Sequence, residues 1–157
     1  MMPGRTHVVT ANGDTHMYLI DSFRSYRDQI RHGLSILDGT KYWSYSLWKA
    51  PEGVDFDDID FFRPEPRYMQ SAGIGTALVI EVRYVEADGE HRQYCVGHPG
   101  TDYTGEPSVP IFTEITAYPG EVFDADEAAD IYYQYFLTGR VPEPYLLRRL
   151  DLSAATD

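Results

Sequence analysis

The chain's densest concentration of reactive groups is Asp55, Asp57, Asp58 and Asp60, with Phe56, Phe61 and Phe62 interleaved. Carboxylates form charge-assisted hydrogen bonds to Arg and Lys. Aromatic rings bury large areas at low entropic cost and anchor interfaces. Together they predict a surface that plugs a basic groove on another macromolecule, with Phe61, Phe62 and Trp48 as anchors. Asp55, Asp57, Asp58 and Asp60 would meet the partner's Arg and Lys, with Asp102 and Glu106 adding to the same charge. Carboxylates also suit hard cations, but the run lacks the spacing and central glycine of a calcium loop.

The histidines are His7, His16, His32, His91 and His98, and no two stand four residues apart as on a metal-binding helix face. The single cysteine, Cys95, lies between Tyr94 and Val96 and reads as a small core residue. No metal or cofactor is expected. His91 and His98 flank one predicted strand and would form a site only if the fold brought them to Asp102 or Glu106. Glu81 and Glu114 fall in predicted strands, and with His91 they could act as acid and base in a sheet cleft. That is the alternative reading, a small enzyme or ligand-binding domain. Signatures for it are absent. No G-x-S-x-G elbow occurs, and Gly73-Ile74-Gly75 lacks the third glycine of a dinucleotide turn and leads into a strand. The chain is therefore expected not to be an enzyme.

Twenty-five acidic and 13 basic side chains give a net charge of −12. Such a surface repels phosphate backbones and anionic lipid leaflets, so neither direct nucleic-acid binding nor membrane binding is expected. It attracts basic proteins and speeds encounter with them. One cysteine and no apolar N-terminal leader point to the cytoplasm.

The 157 residues suit a single domain, residues 1–157, large enough for one hydrophobic core. Strands are predicted at His7–Thr10 and His16–Asp21 around the Asn12-Gly13-Asp14 turn. A helix follows, capped by Ser22, with Phe23, Tyr26, Ile30 and Leu34 on its apolar face. Lys41–Lys49 is an aromatic strand, and Pro51–Arg67 is a long irregular loop. Thr76–Glu86 and His91–Gly97 form a hairpin over Asp88-Gly89. Val109–Ala117 reads as one strand, and Tyr145–Leu152 as the last. Asp124 caps the second helix, whose stripe is Ala128, Tyr132, Tyr135 and Phe136 and whose stop is Gly139. The fold class expected is α+β, a mostly antiparallel β-sheet with two main helices packed on one face.

Roughly residues 92–145 resemble the immunity-protein family of bacterial polymorphic toxin systems. The similarity lies in Val96-Gly97-His98-Pro99-Gly100, in Tyr118-Pro119-Gly120, and in an Ala-rich helix ending Phe136-Leu137-Thr138-Gly139-Arg140-Val141-Pro142. Where that family often places a tryptophan after the final proline, this chain has Tyr145-Leu146-Leu147. The resemblance implies an immunity-type inhibitor that occludes a cognate basic toxin of the nuclease or nucleic-acid deaminase class. It assigns no contact residue, because toxin-contacting positions vary with the toxin. Oligomeric state is left open.

Overall fold

Apolar and polar residues alternate through Leu78, Ile80, Val82 and Tyr84, which fits a strand with one face in a core. The structure places that strand next to the middle of a seven-stranded antiparallel sheet. The computed structural model describes residues 6–20, 24–61 and 65–150. Their elements are β1 (His7–Ala11), β2 (Thr15–Tyr18), α1 (Tyr26–Ser35), β3 (Ser44–Lys49), β4 (Tyr68–Ile74), β5 (Ala77–Val85), β6 (His91–Gly97), β7 (Val109–Phe112), β8 (Ile115–Ala117), α2 (Ala125–Thr138) and β9 (Leu146–Arg149). The main sheet runs β2-β1-β3-β4-β5-β6-β9, and β7 pairs with β8 separately. The fold is α+β.

Both helices pack on one face of the sheet and against each other. Ile30 and Leu34 of α1 and Ala128, Ala129, Ile131, Tyr132 and Tyr135 of α2 meet Leu47, Met69, Ile80, Val82 and Val96. Each fully buried Leu or Ile contributes about 1.5–3 kcal/mol, so this layer is the main source of stability. Tyr132 is completely buried, and its hydroxyl lies 2.8 Å from Ser71 Oγ, which keeps both polar atoms partnered inside the core.

Helix starts follow local chemistry. Asp124 Oδ1 accepts from the Glu127 N–H at 2.9 Å, and Gly139 ends α2 with φ 76°. For α1 the cap is Ser25, whose Oγ accepts from the Asp28 N–H, and not Ser22. Ser22, Phe23 and Asp21 lie outside the described residues.

Three further segments differ from expectation. Tyr68–Ile74 is a full strand, β4, in the stretch between the expected loop and the expected hairpin, to which the sequence assigns no element. Val109–Ala117 is not one strand: it folds back as β7 and β8 around Glu114, which takes a left-handed φ of 64°. The final strand is Leu146–Arg149, and the expected extension at Asp151 and Leu152 lies outside the described residues.

Candidate partner-binding surface

Strand registers sort the sheet residues by face. Opposite the helices stand Val8 and Thr10 of β1, His16 and Tyr18 of β2, Trp48 of β3, Gln70 of β4, Glu81 of β5 and Gln93 of β6. Two long connections cover this second face from diagonal corners. One is the β3–β4 loop, with its 3-10 turn at Phe56–Asp58. The other is the segment from His98 to Phe123 that contains β7 and β8.

The β3–β4 loop is fixed by rings. Phe61 stacks on His16 with centroids 4.0 Å apart and planes at 7°, and it meets Trp48 edge-on at 5.9 Å. Phe56 packs on Tyr18 at 5.1 Å and on Phe61 at 5.5 Å. Beneath them the Trp48 indole N–H donates to Thr10 Oγ1 at 2.9 Å, and Thr10 Oγ1 lies 2.8 Å from His16 Nδ1. With the indole donating to it, the hydroxyl has its own hydrogen for Nδ1, which fits a neutral imidazole. Burial lowers the His16 pKa further, against the raising effect of Asp14.

Sequence alternation sets the outer surface. Asp55, Asp57, Asp58 and Asp60 face solvent, while Phe56, Ile59 and Phe61 are half-buried. Among the described residues no ion pair reaches Asp55, Asp57 or Asp58. These carboxylates sit on a platform that their own alternating rings hold down.

Not all the expected site residues join them. Trp48 is only 8 % exposed and hydrogen-bonded beneath the loop, so it supports the platform and offers no exposed anchor. Phe61 is likewise engaged with the chain's own rings. Phe62 lies outside the described residues. Asp102 and Glu106 are exposed but belong to the other corner. Asp102 Oδ1 caps a local turn, accepting from the Thr104 N–H at 2.9 Å and its hydroxyl at 2.5 Å. The loop carrying them crosses β6, where a Cβ on Gly97 would lie 2.7 Å from the Tyr103 hydroxyl. The aspartate loop lies over β2, β1 and β3, and three strand spacings, about 14 Å of sheet, separate β3 from β6.

No family model, curated protein or solved structure matches this chain. The case for a function therefore rests on the chemistry of the two corners.

The second corner is held by polar groups that the sequence did not reveal. Glu121 is fully buried and accepts from Arg148 Nε at 2.8 Å, Arg148 Nη2 at 3.0 Å and the Tyr118 N–H at 3.0 Å. Cys95 is buried nearby, and burial, reinforced by Glu121, pushes its thiol pKa up, which disfavours the thiolate. His98 stacks on Phe123 at 4.1 Å. Its Nδ1 lies 2.8 Å from the Gly120 carbonyl and its Nε2 lies 2.9 Å from Glu127 Oε1. Both partners only accept, so both ring nitrogens must donate and the imidazolium form fits the site. Tyr145 donates to the other Glu127 oxygen at 2.8 Å. His98 thus reaches Glu127, not Asp102 or Glu106. Among the described residues no cluster of three His, Cys, Asp or Glu side chains could hold a metal ion.

The residues of the enzyme alternative are not gathered. Glu81 accepts from Gln70 at 3.1 Å and Gln93 at 2.5 Å. His91 lies beside Val85, four residues farther along β5 and about 13 Å away, where Arg83 contacts it at 3.1 Å. Glu114 sits in the β7–β8 turn.

Proposed function

We propose that this chain is an immunity-type inhibitor that binds and occludes a cognate basic toxin of the nuclease or nucleic-acid deaminase class. The observation that carries this reading is the ring-fixed loop with Asp55, Asp57 and Asp58 exposed and without ion-pair partners among the described residues. A carboxylate already neutralised by its own chain would lose that partner on binding a new one. These would not, and the loop needs little further ordering, so binding would cost less. The net charge of −12 adds long-range attraction for a basic partner. The resemblance of residues 92–145 to the immunity-protein family points the same way and names the toxin class. The anchoring role moves from the rings to the carboxylates, because Trp48 and Phe61 are spent on fixing the loop.

The test is capture from native lysate at low salt, followed by assay of what is captured. The expected partner is a basic enzyme whose action on DNA or RNA falls when the chain is added. Replacing Asp55, Asp57 and Asp58 with Asn should slow association and flatten its salt dependence. Association kinetics that ignore the triple substitution would remove this loop from the account, and unaided turnover of a small molecule would remove the inhibitor reading itself.

A further inference from the structure

Among the described residues, strand β2 is one edge of the main sheet and pairs with β1 alone. The Leu19 N–H donates to the His7 carbonyl at 2.9 Å, which fixes the alternation of the antiparallel pair. Val9–Met17 and Ala11–Thr15 are then the hydrogen-bonded pairs, and the N–H and C=O of His16 and Tyr18 point away from the sheet. Among the described residues no backbone group is bonded to them. An open groove of about 960 Å³ adjoins this strand. It is lined by His16, Met17 and Tyr18 of β2, by Thr6 and Lys49 at the ends of the next two strands, and by the segment from Ala50 to Asp57. The Met17 side chain is 61 % exposed at its rim.

Exposed edges invite strand pairing, and proteins usually blunt them with charge or proline. The opposite edge, β9, carries Arg148 and Arg149. Thr15, His16, Met17 and Tyr18 carry no Lys, Arg, Glu, Asp or Pro. The groove's charge selects what can lie there. Among its described lining residues, Glu52, Asp55 and Asp57 stand against one cation, Lys49. A second copy of the chain, related by a twofold axis at β2, would bring like carboxylates together.

We propose that an extended basic segment of the partner adds to the sheet alongside β2. Its backbone takes up the outward N–H and C=O of His16 and Tyr18, and its alternate Lys or Arg side chains reach Glu52, Asp55 and Asp57. This deepens the inhibitor reading above and rests on it. Main-chain bonding supplies affinity in such strand addition, while the side-chain groove supplies specificity.

The probe is a peptide of alternating Thr and Arg, about eight residues long so that it spans β2, with an alternating Thr and Glu peptide as control. The Thr-Arg peptide should bind, more weakly at high salt, and slow hydrogen exchange at the His16 and Tyr18 amides. Tyr18→Pro removes an outward N–H at a position where an edge strand tolerates proline, and should weaken binding about tenfold. Tyr18→Ala loses the ring, keeps the N–H and should still bind. No binding of the Thr-Arg peptide, or equal binding of the Thr-Glu peptide, overturns the proposal. So does protection of the same amides in the unliganded protein as its concentration rises, which would put a second copy in the groove. If Tyr18→Pro fails to fold, the exchange pattern of the unsubstituted protein decides. A captured basic protein whose complex leaves both amides unprotected, yet responds to the Asp→Asn substitutions, removes strand addition alone and keeps the inhibitor reading.

Discussion

The two covers of the second sheet face both use ring contacts but put charge to opposite uses. The His98–Phe123 segment is pinned by buried and half-buried polar contacts: Glu121 with Arg148, His98 with Glu127 and Gly120, and Tyr118, whose hydroxyl donates to the Gly105 carbonyl at 2.7 Å. The β3–β4 loop is pinned by ring contacts, and among the described residues no ion pair reaches its exposed Asp55, Asp57 or Asp58. In the first cover charge serves the fold. In the second the fold holds charge out to solvent. Asp55, Asp57 and Asp58, with no ion pair among the described residues, are the carboxylates most open to another molecule, and the proposed reading rests on that contrast more than on total charge.

The largest effect should come from breaking the polar cover. Glu121→Ala leaves the Arg148 guanidinium without its carboxylate and should cost about 3 kcal/mol, read from the urea unfolding midpoint. A loss no greater than that of an ordinary surface substitution would show that the pair is not structural.

Next is the pH dependence at His98. Burial opposes its charge, but the hydrogen bonds to Glu127 and Gly120 prevail and raise its pKa above 6.5. A raised pKa stabilises the folded state fully below the unfolded value and loses that effect as pH rises through the folded value. The stability gap between the unsubstituted protein and His98→Gln should therefore be about 1 kcal/mol near pH 6 and shrink by pH 9. A gap that widens with pH would reverse the assignment of the charged form.

Smaller still is Phe61→Ala. Removing the ring from His16, Trp48 and Phe56 should cost about 1 kcal/mol and speed proteolysis within the β3–β4 loop. Equal cleavage with and without the ring would mean that something else holds the loop. The smallest expected effect is that of Asp57→Asn with Asp58→Asn, which should leave the thermal midpoint of the isolated protein unchanged. A marked drop would show a stabilising role for these carboxylates and erase the contrast between the covers.

What the sequence revealed follows the range of the interactions involved. The β5–β6 hairpin and the Asp124 cap are written in neighbouring residues, by alternation and by a side chain reaching three positions ahead. Strand β4 lacks that signal because Gln70, Ser71, Ala72 and Gly73 are small or polar. They are buried or half-buried there by flanking strands and, for Ser71, by the Tyr132 hydroxyl. The reversal between β7 and β8 was hidden because its left-handed residue is Glu114, with neither glycine nor proline marking it. Ser25 and Ser22 are equally good caps by type, and only the position of the first helical turn separates them. In the candidate site, the exposure of the aspartates was legible in their alternation with aromatics. The burial of Trp48 was not, since a strand shows which residues share a face and not which face a later loop will cover. Glu121 and His98 meet partners 27 and 29 residues away, a separation at which sequence spacing is silent.

The place of Trp48 makes the molecule its own optical reporter. The chain has two tryptophans. Trp43 is 38 % exposed and stacked on Phe112, whereas the Trp48 indole lies dry beneath the β3–β4 loop, its N–H held by Thr10. In a Trp43→Phe background the remaining emission should be blue-shifted and poorly quenched by iodide. It would redden only when that loop lifts, so a fluorimeter could follow the acidic corner alone.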